Sequence, residues 1–169
     1  LGMRILAAFD KCKDSFSAED LCALVRERIN KRSHDISVRS LPQTDGGEGF
    51  VSILTLAKGG ELRTVEALDS LGRERPVPIG LLPIEGLSEE VIDLLCLPPK
   101  GKIALIEMAS VVGLADLKNE ERNPWKTSTV GVGECLCECR EWGVSAILLG
   151  IGGSSTNDMG LGALSSLGV

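Results

Sequence analysis

The chain has 169 residues, of which 43% are hydrophobic, 3% aromatic and 20 glycine, and it carries a formal charge of −6. So much apolar material builds one or two small cores and excludes a disordered chain, and the acidic balance excludes a nucleic-acid binder, whose phosphate contacts need clustered Lys and Arg. There is no charged-then-apolar leader and no apolar run near the roughly 18 residues of a membrane span, so the sequence reads as neither secreted nor membrane-bound, with the cytoplasm as the expected location.

Leu1 and Gly2 stand ahead of Met3 and read as an addition outside the fold. Residues 3–9 form a short apolar run, expected as a buried strand. A polar loop over 10–16 follows. Ser17 is placed to cap a helix over 18–31, with Leu21, Leu24, Val25 and Ile29 as its apolar stripe. The basic cluster at 26–32 reads as the solvated side of that helix. Residues 36–41 are a second strand, 42–49 a glycine-rich turn, and 50–58 a helix ended by Gly59 and Gly60. Strand, loop and helix, twice over, open a parallel α/β sheet.

The pattern then changes. Residues 62–68 alternate polar and apolar side chains, 69–73 make a turn, and 74–81 run back as the second arm of an antiparallel hairpin. Pro78, Pro83, Pro98 and Pro99 punctuate the next stretch, where a short helix over 88–97 capped by Ser88 is expected. A strand over 102–108, a short helix over 109–114 and a loop over 119–126 come next. A helix over 132–142, a strongly apolar strand over 144–151 and a helix over about 158–167 complete the chain.

Three loops carry chemistry. In the last, Gly152 and Gly153 let backbone approach a ligand, and Ser154, Ser155 and Thr156 add hydroxyls ahead of a helix start, where N–H groups and the dipole favour an anion. Asn157 and Asp158 suit a substrate hydroxyl or a hydrated cation. A tight turn with a good N-cap is the plainer alternative. The spacing matches neither a Walker A loop nor a dinucleotide fingerprint. In the second loop, Asp45 and Glu48 flank Gly46 and Gly47, so both carboxylates can reach one ligand, to accept a hydroxyl proton or hold Mg²⁺. An ordinary turn is again the alternative. The first loop offers Lys11 and Lys13, which suit a phosphate or carboxylate, with hydroxyls from Ser15 and Ser17, or else a solvated surface. Each loop follows the carboxyl end of an expected strand, the rim where open parallel sheets bind ligands.

The six cysteines form no CxxC pair. On a helix Cys135 and Cys139 share a face while Cys137 points away, so structural thiols are expected rather than a zinc hook.

Six segments, in order, resemble the glycerate kinase family. DKCKDSFSA at 10–18 resembles its D-[SK]-F-K-G-[ST]-L-[ST]-A opening, and PQTDGGEG at 42–49 its P-x-A-D-G-G-E-G. DSLGR at 69–73 is similar to D-P-L-G-R, and IEMAS at 106–110, with Gly113 and Leu114, to I-E-M-A-x-A-S-G-L. TSTVGVGE at 127–134 resembles T-[ST]-x-G-x-G-E, and GIGGSSTND at 150–158 resembles G-[IL]-G-G-S-A-T-N-D. Cys12, Asp14 and Met159 depart from the pattern.

The resemblance implies an α/β fold: a Rossmann-like parallel sheet with helices on both faces, plus a smaller α/β segment holding the antiparallel hairpin, in a chain shorter than the family's. The implied domains are 3–66 with 127–169 as a discontinuous Rossmann-like part, and 67–126 as part of a second α/β domain. It also implies phosphoryl transfer from ATP, with Mg²⁺, to D-glycerate. Asp45 would orient or deprotonate the substrate hydroxyl, and Lys13 would steady a carboxylate or phosphoryl group. Asp10, Ser15, Gly46, Gly47, Gly152, Gly153, Ser154, Ser155, Thr156 and Asn157 would bind substrate or phosphate, and Asp158 or Glu48 the metal. This segment alone is expected to turn over little, and to self-associate across an exposed sheet edge. A kinase for another small hydroxy acid, or a non-catalytic binding module, are the alternatives.

Overall fold

The computed structural model describes residues 2–13 and 15–169. Leu1, read above as an addition, and Asp14, one of the departures from the family pattern, lie outside the described residues. The chain folds as two units, Leu1–Asp45 and Gly46–Val169.

In the first unit, β1 (Met3–Ala7), α1 (Ala18–Arg32) and β2 (Ile36–Ser40) form a strand–helix–strand crossover. β1 and β2 pair in parallel, from Met3 opposite Ile36 to Ala7 opposite Ser40, and a parallel pair needs such a long connection. Ser17 caps α1 as expected: its hydroxyl accepts the Asp20 N–H at 3.0 Å. Ala18 and Cys22 turn inward, and the Cys22 thiol donates to the Ala7 carbonyl at 3.3 Å. β1 stops at Ala7 rather than at residue 9, but the chain stays beside its neighbour. The Leu41 N–H donates to the Ala7 carbonyl and the Gln43 N–H to that of Phe9, each at 2.8 Å.

In the second unit, α2 (Phe50–Ala57) leads into β3 (Glu61–Leu68) and β4 (Glu74–Pro83), the expected antiparallel hairpin. After α3 (Glu89–Leu94) come β5 (Lys102–Glu107), α4 (Met108–Val112), α5 (Val130–Glu141), β6 (Ala146–Gly150) and α6 (Leu161–Ser166). The sheet order is β3-β4-β5-β6, with β4 and β5 antiparallel and β5 and β6 parallel. β5 shows why: its run of apolar residues is buried on both faces, as a central strand requires. Ile103 and Leu105 pack with Val51, Leu82 and Ile84 on the face that α2 covers. Ala104 and Ile106 pack with Val77, Ile79, Val111, Val132, Cys135 and Cys139 on the face that α4 and α5 cover.

This is the mixed α/β class, with one parallel strand pair in each unit and helices on both faces of the four-stranded sheet. The pairing of β6 with β5 joins segments 127–169 and 67–126, which the sequence reading assigns to separate domains. No described helix is long and apolar enough to cross a membrane.

Close approach, rather than turn geometry, demands some of the glycines. A Cβ on Gly131 would stand 1.8 Å from the Leu68 carbonyl oxygen, and one on Gly133 2.5 Å from that of Ala163. These glycines let α5 lie flat on the end of β3 and on α6. Cys135 and Cys139 sit fully in the core, where burial pushes their thiols up to about 12 and about 11, while the Cys137 thiol donates to the Ser166 carbonyl. Among the described residues no group of three or more His, Cys, Asp or Glu is arranged to hold a metal ion.

Candidate functional site

In the first unit, the loop after β1 turns tightly. The Cys12 N–H donates to the Phe16 carbonyl at 2.9 Å, and the N–H groups of Ser15 and Phe16 each return to the Cys12 carbonyl at 3.0 Å. This turn leaves Asp10, Lys13 and Ser15 exposed. Lys11 points the other way, and its ammonium meets Asp45 Oδ1 at 3.1 Å, with the lysine side chain only 13% exposed and the aspartate 63%. Lys11, which the sequence reading gives no role of its own, is thus the cation paired with Asp45, while Lys13, expected to steady a substrate carboxylate or phosphoryl group, is exposed. Alternation in a loop has no fixed period, so nothing in the spacing distinguishes the two lysines.

In the second unit, two glycine-rich turns lock together at the carboxyl end of β6. The Gly152 N–H donates to the Gly46 carbonyl at 2.9 Å. A Cβ on Gly152 would stand 2.7 Å from Gly47 Cα, and one on Gly150 2.6 Å from the Gly46 oxygen. Backbone lies on backbone here, which no larger residue permits. Gly153 has φ +73, and a Cβ built on it would lie 3.5 Å from Glu48 Oε1. The exposed Glu48 carboxylate therefore stands over the turn that carries Ser154, Thr156 and Asn157. The sequence reading expects three loops, near positions 13, 45 and 155, to share one pocket; within the second unit the turns at 46–48 and 150–153 adjoin.

The rest of the last loop is held from the other side. Ser155 donates both its N–H and its hydroxyl to the Val112 carbonyl, each at 2.8 Å. The Leu114 N–H donates to the Gly153 carbonyl at 2.8 Å, and the Thr127 hydroxyl to that of Ser155 at 3.0 Å. The Ser154 and Thr156 hydroxyls bond each other at 2.8 Å. Ser155 is thus an anchor of the loop, while Ser154, Thr156 and the exposed Asn157 form its open face.

Asp158, weighed above as a metal ligand, has another occupation. Its carboxylate accepts the Thr129 N–H at 2.8 Å, the Thr129 hydroxyl at 2.9 Å, the Gly160 N–H at 3.1 Å, the Gly162 N–H at 3.2 Å and the Ser128 hydroxyl at 3.3 Å. One side chain thus caps the starts of both α5 and α6. Partial burial opposes its ionisation, yet bonds from Thr129, Gly162 and Gly160 hold the carboxyl below its ordinary range. α6 accordingly starts at Leu161, later than expected. Met159 and Gly160 take left-handed backbone (φ 53 and 77), which no helix accommodates. The helix start that was expected to grip a ligand anion is filled by the protein's own.

The start of α2 is filled likewise. Glu107, at the end of β5, accepts the Val51 N–H at 3.2 Å, and the N–H groups of Gly49 and Phe50 also favour its charged form. Burial raises its carboxyl above the ordinary range, those three donors counter the rise, and the charge of Glu48 adds to it. Sequence reasoning assigns Glu107 no role. The signal is present, because a carboxylate closing an apolar strand demands a buried partner.

A sequence model described as the glycerate kinase family matches residues 5–169. A glycerate kinase of Haemophilus influenzae is 34% identical over 167 residues, which are 99% of this chain and 40% of that protein. The glycerate 2-kinase of Escherichia coli K12 is 34% identical over 166 residues, 98% of this chain and 39% of that one. A crystal structure presented as that of a glycerate kinase 2 from Salmonella typhimurium LT2 superposes with a TM-score of 0.68 at 34% identity, over 98% of this chain and 41% of that one. The chain spans about two fifths of the length of these relatives.

Proposed function

Because this chain belongs to the glycerate kinase family, we propose that it supplies part of the site of an ATP-dependent kinase that phosphorylates a hydroxyl of D-glycerate. The observation that carries the reading is the interlocked pair of glycine turns, Gly46–Gly47 against Gly150–Gly152, with Glu48 beside Gly153. Such a platform, with Ser154, Thr156 and Asn157 on its open side, suits a small polar substrate or a phosphate that must approach backbone closely.

In-line transfer needs positioning and charge neutralisation more than covalent help. The substrate hydroxyl oxygen forms the new bond to the γ-phosphorus, the bond from that phosphorus to the ADP oxygen breaks, and the hydroxyl proton leaves to a base. Asp45 is the proposed base or orienting group, as the exposed carboxylate of the D-G-G-E turn. Lys11 holds it by an ion pair, and Lys13 and Ser15 on the exposed side of their turn are the proposed contacts to a substrate carboxylate or phosphoryl group.

Mg²⁺ takes oxygen ligands and keeps several waters, so one carboxylate plus nucleotide phosphates suffices to hold it. Glu48 fits that demand, being exposed and adjacent to the glycine turn. Asp158 does not, because its oxygens are taken by five protein donors. Bound there with ATP, the metal supplies neutralising charge on the phosphates.

The test uses two preparations. The first is a chimera in which residues 5–169 replace the matching segment of the Escherichia coli enzyme, assayed for ADP release with Mg–ATP and a panel of hydroxy acids. D-glycerate is expected as the preferred acceptor, with a phosphoester seen by phosphorus NMR. The second is the 169-residue chain in calorimetry, expected to bind D-glycerate with little turnover. A folded chimera that phosphorylates another hydroxy acid better would reassign the substrate. One that binds glycerate without ever forming product would leave a binding module in place of a kinase.

A further inference from the structure

Glu107 occupies an unusual place for a carboxylate. It is 6% exposed, at the end of a strand whose inner residues are apolar. Its Oε2 accepts the Val51 N–H at 3.2 Å, one of the first-turn donors that α2 cannot satisfy within itself, and the N–H groups of Gly49 and Phe50 also favour its charged form. α2 has no side-chain cap of its own, since its N-cap is Gly49 in left-handed backbone (φ 90). Glu107 thus does from a neighbouring strand what a local Ser or Asp does in most helices. The Ser110 hydroxyl bonds the Glu107 carbonyl and leaves the carboxylate to α2.

The consequence reaches the glycine platform. The turn at 46–49 is pinned at one end by the Gly152 N–H on the Gly46 carbonyl and, just past its other end, by Glu107 on the Val51 N–H. Between these pins lie the buried Gly47 and the exposed Glu48. Asp45 precedes the first pin by one peptide bond.

We propose that Glu107 is a positioning residue: its carboxylate holds the start of α2 so that the Gly46–Glu48 turn keeps the conformation in which Glu48 stands over Gly153. The effect on turnover rests on the phosphotransfer reading above, whereas the pinning itself does not.

Two measurements separate them. In hydrogen exchange on the 169-residue chain, Glu107→Ala is expected to speed exchange at residues 46–51 by about tenfold or more, with the rest of the sheet unchanged. Glu107→Gln, which keeps one acceptor oxygen, is expected to restore part of that protection. In the chimera, Glu107→Ala is expected to lower kcat between about tenfold and a hundredfold, as sub-ångström misplacement does, with KM for ATP shifted less than about twofold. Glu107→Gln should recover part of the loss. Ile79→Val, in the core of the other sheet face, is the control: it should lower the thermal midpoint without moving kcat. Unchanged exchange at 46–51, or exchange raised uniformly along the chain, would overturn the pinning. A kcat loss no greater than that of Ile79→Val would overturn the positioning role. An unsubstituted chimera with no kinase activity would sink the kinase reading, and the exchange arm would still decide the pinning.

Discussion

Replacing Asp158 by alanine removes one acceptor from many donors. The N–H groups of Thr129, Gly160 and Gly162 lose their partner, and so do the hydroxyls of Thr129 and Ser128. A stranded donor costs about 1–3 kcal/mol when buried and less where water replaces the lost partner. The hydroxyls rotate to other acceptors and water reaches part of this half-buried site, so about 2–4 kcal/mol is the expected loss. For a domain of this size that lowers Tm by roughly 5–15 °C. Asp158→Asn should repair only part of it, because the amide keeps one acceptor oxygen but turns an NH₂ toward N–H groups that need an acceptor. Trp142 reports the transition by fluorescence: it packs against the core cluster, with Arg63 over its ring at 5.2 Å, whereas Trp125 is 94% exposed. The pH dependence carries a sign. The folded carboxyl lies below its ordinary value of 3.8, so its stabilisation is complete above that pH and is lost as the pH falls through the folded value. The gap between wild type and Asp158→Ala should therefore be widest near neutrality and narrow below pH 3.8. An unchanged Tm in both variants, with Mg²⁺ dependence altered instead, would refute the capping role and return Asp158 to the metal.

Gly152→Ala should disrupt the glycine platform, since its Cβ would stand 2.7 Å from backbone; a loss of about 2 kcal/mol or more in urea titration is expected. Thr55→Val should be neutral or stabilise by up to about 1 kcal/mol, because the buried Thr55 hydroxyl has no hydrogen-bond partner among the described residues; a lowered urea midpoint would contradict this. Lys11→Met should change stability by less than about 1 kcal/mol, as its partner Asp45 is largely solvated, yet lower kcat of the chimera; unchanged turnover would remove Asp45 and Lys11 from the proposed site. A thiol reagent at pH ~8 should label the exposed Cys12 and Cys96 quickly and reach Cys135 and Cys139, whose thiols are pushed up to about 12 and about 11, only after unfolding.

Much of the fold was legible because local rules agreed with tertiary ones. The hairpin of β3 and β4 followed from alternation around the 69–73 turn, and the α1 boundary from Ser17. β5 and β6 showed themselves as unbroken apolar runs. Boundaries failed where a distant group intervened. α6 begins after the expected position because Asp158 is recruited as a cap and Met159 and Gly160 adopt left-handed backbone. Ser88 sits at the start of α3 with extended backbone but makes no cap bond with its side chain, so a residue type suited to a role need not perform it.

The candidate site divides along the same line. Which residue types gather in the loops, and which family they resemble, is written in the order of the amino acids, because glycines, hydroxyls and carboxylates at turn positions are local facts. Which of those groups are available to a ligand is decided only by packing. Asp158 and Glu107 look alike in sequence, as acids beside glycine or apolar runs, and both are spent on helix starts. Glu48 is exposed beside its glycine turn, and Asp45, also exposed, is paired with Lys11. A carboxylate's job depends on which unsatisfied N–H groups the fold brings within 3.2 Å of it, and for Glu107 and Thr129's hold on Asp158 those come from chain segments tens of residues away.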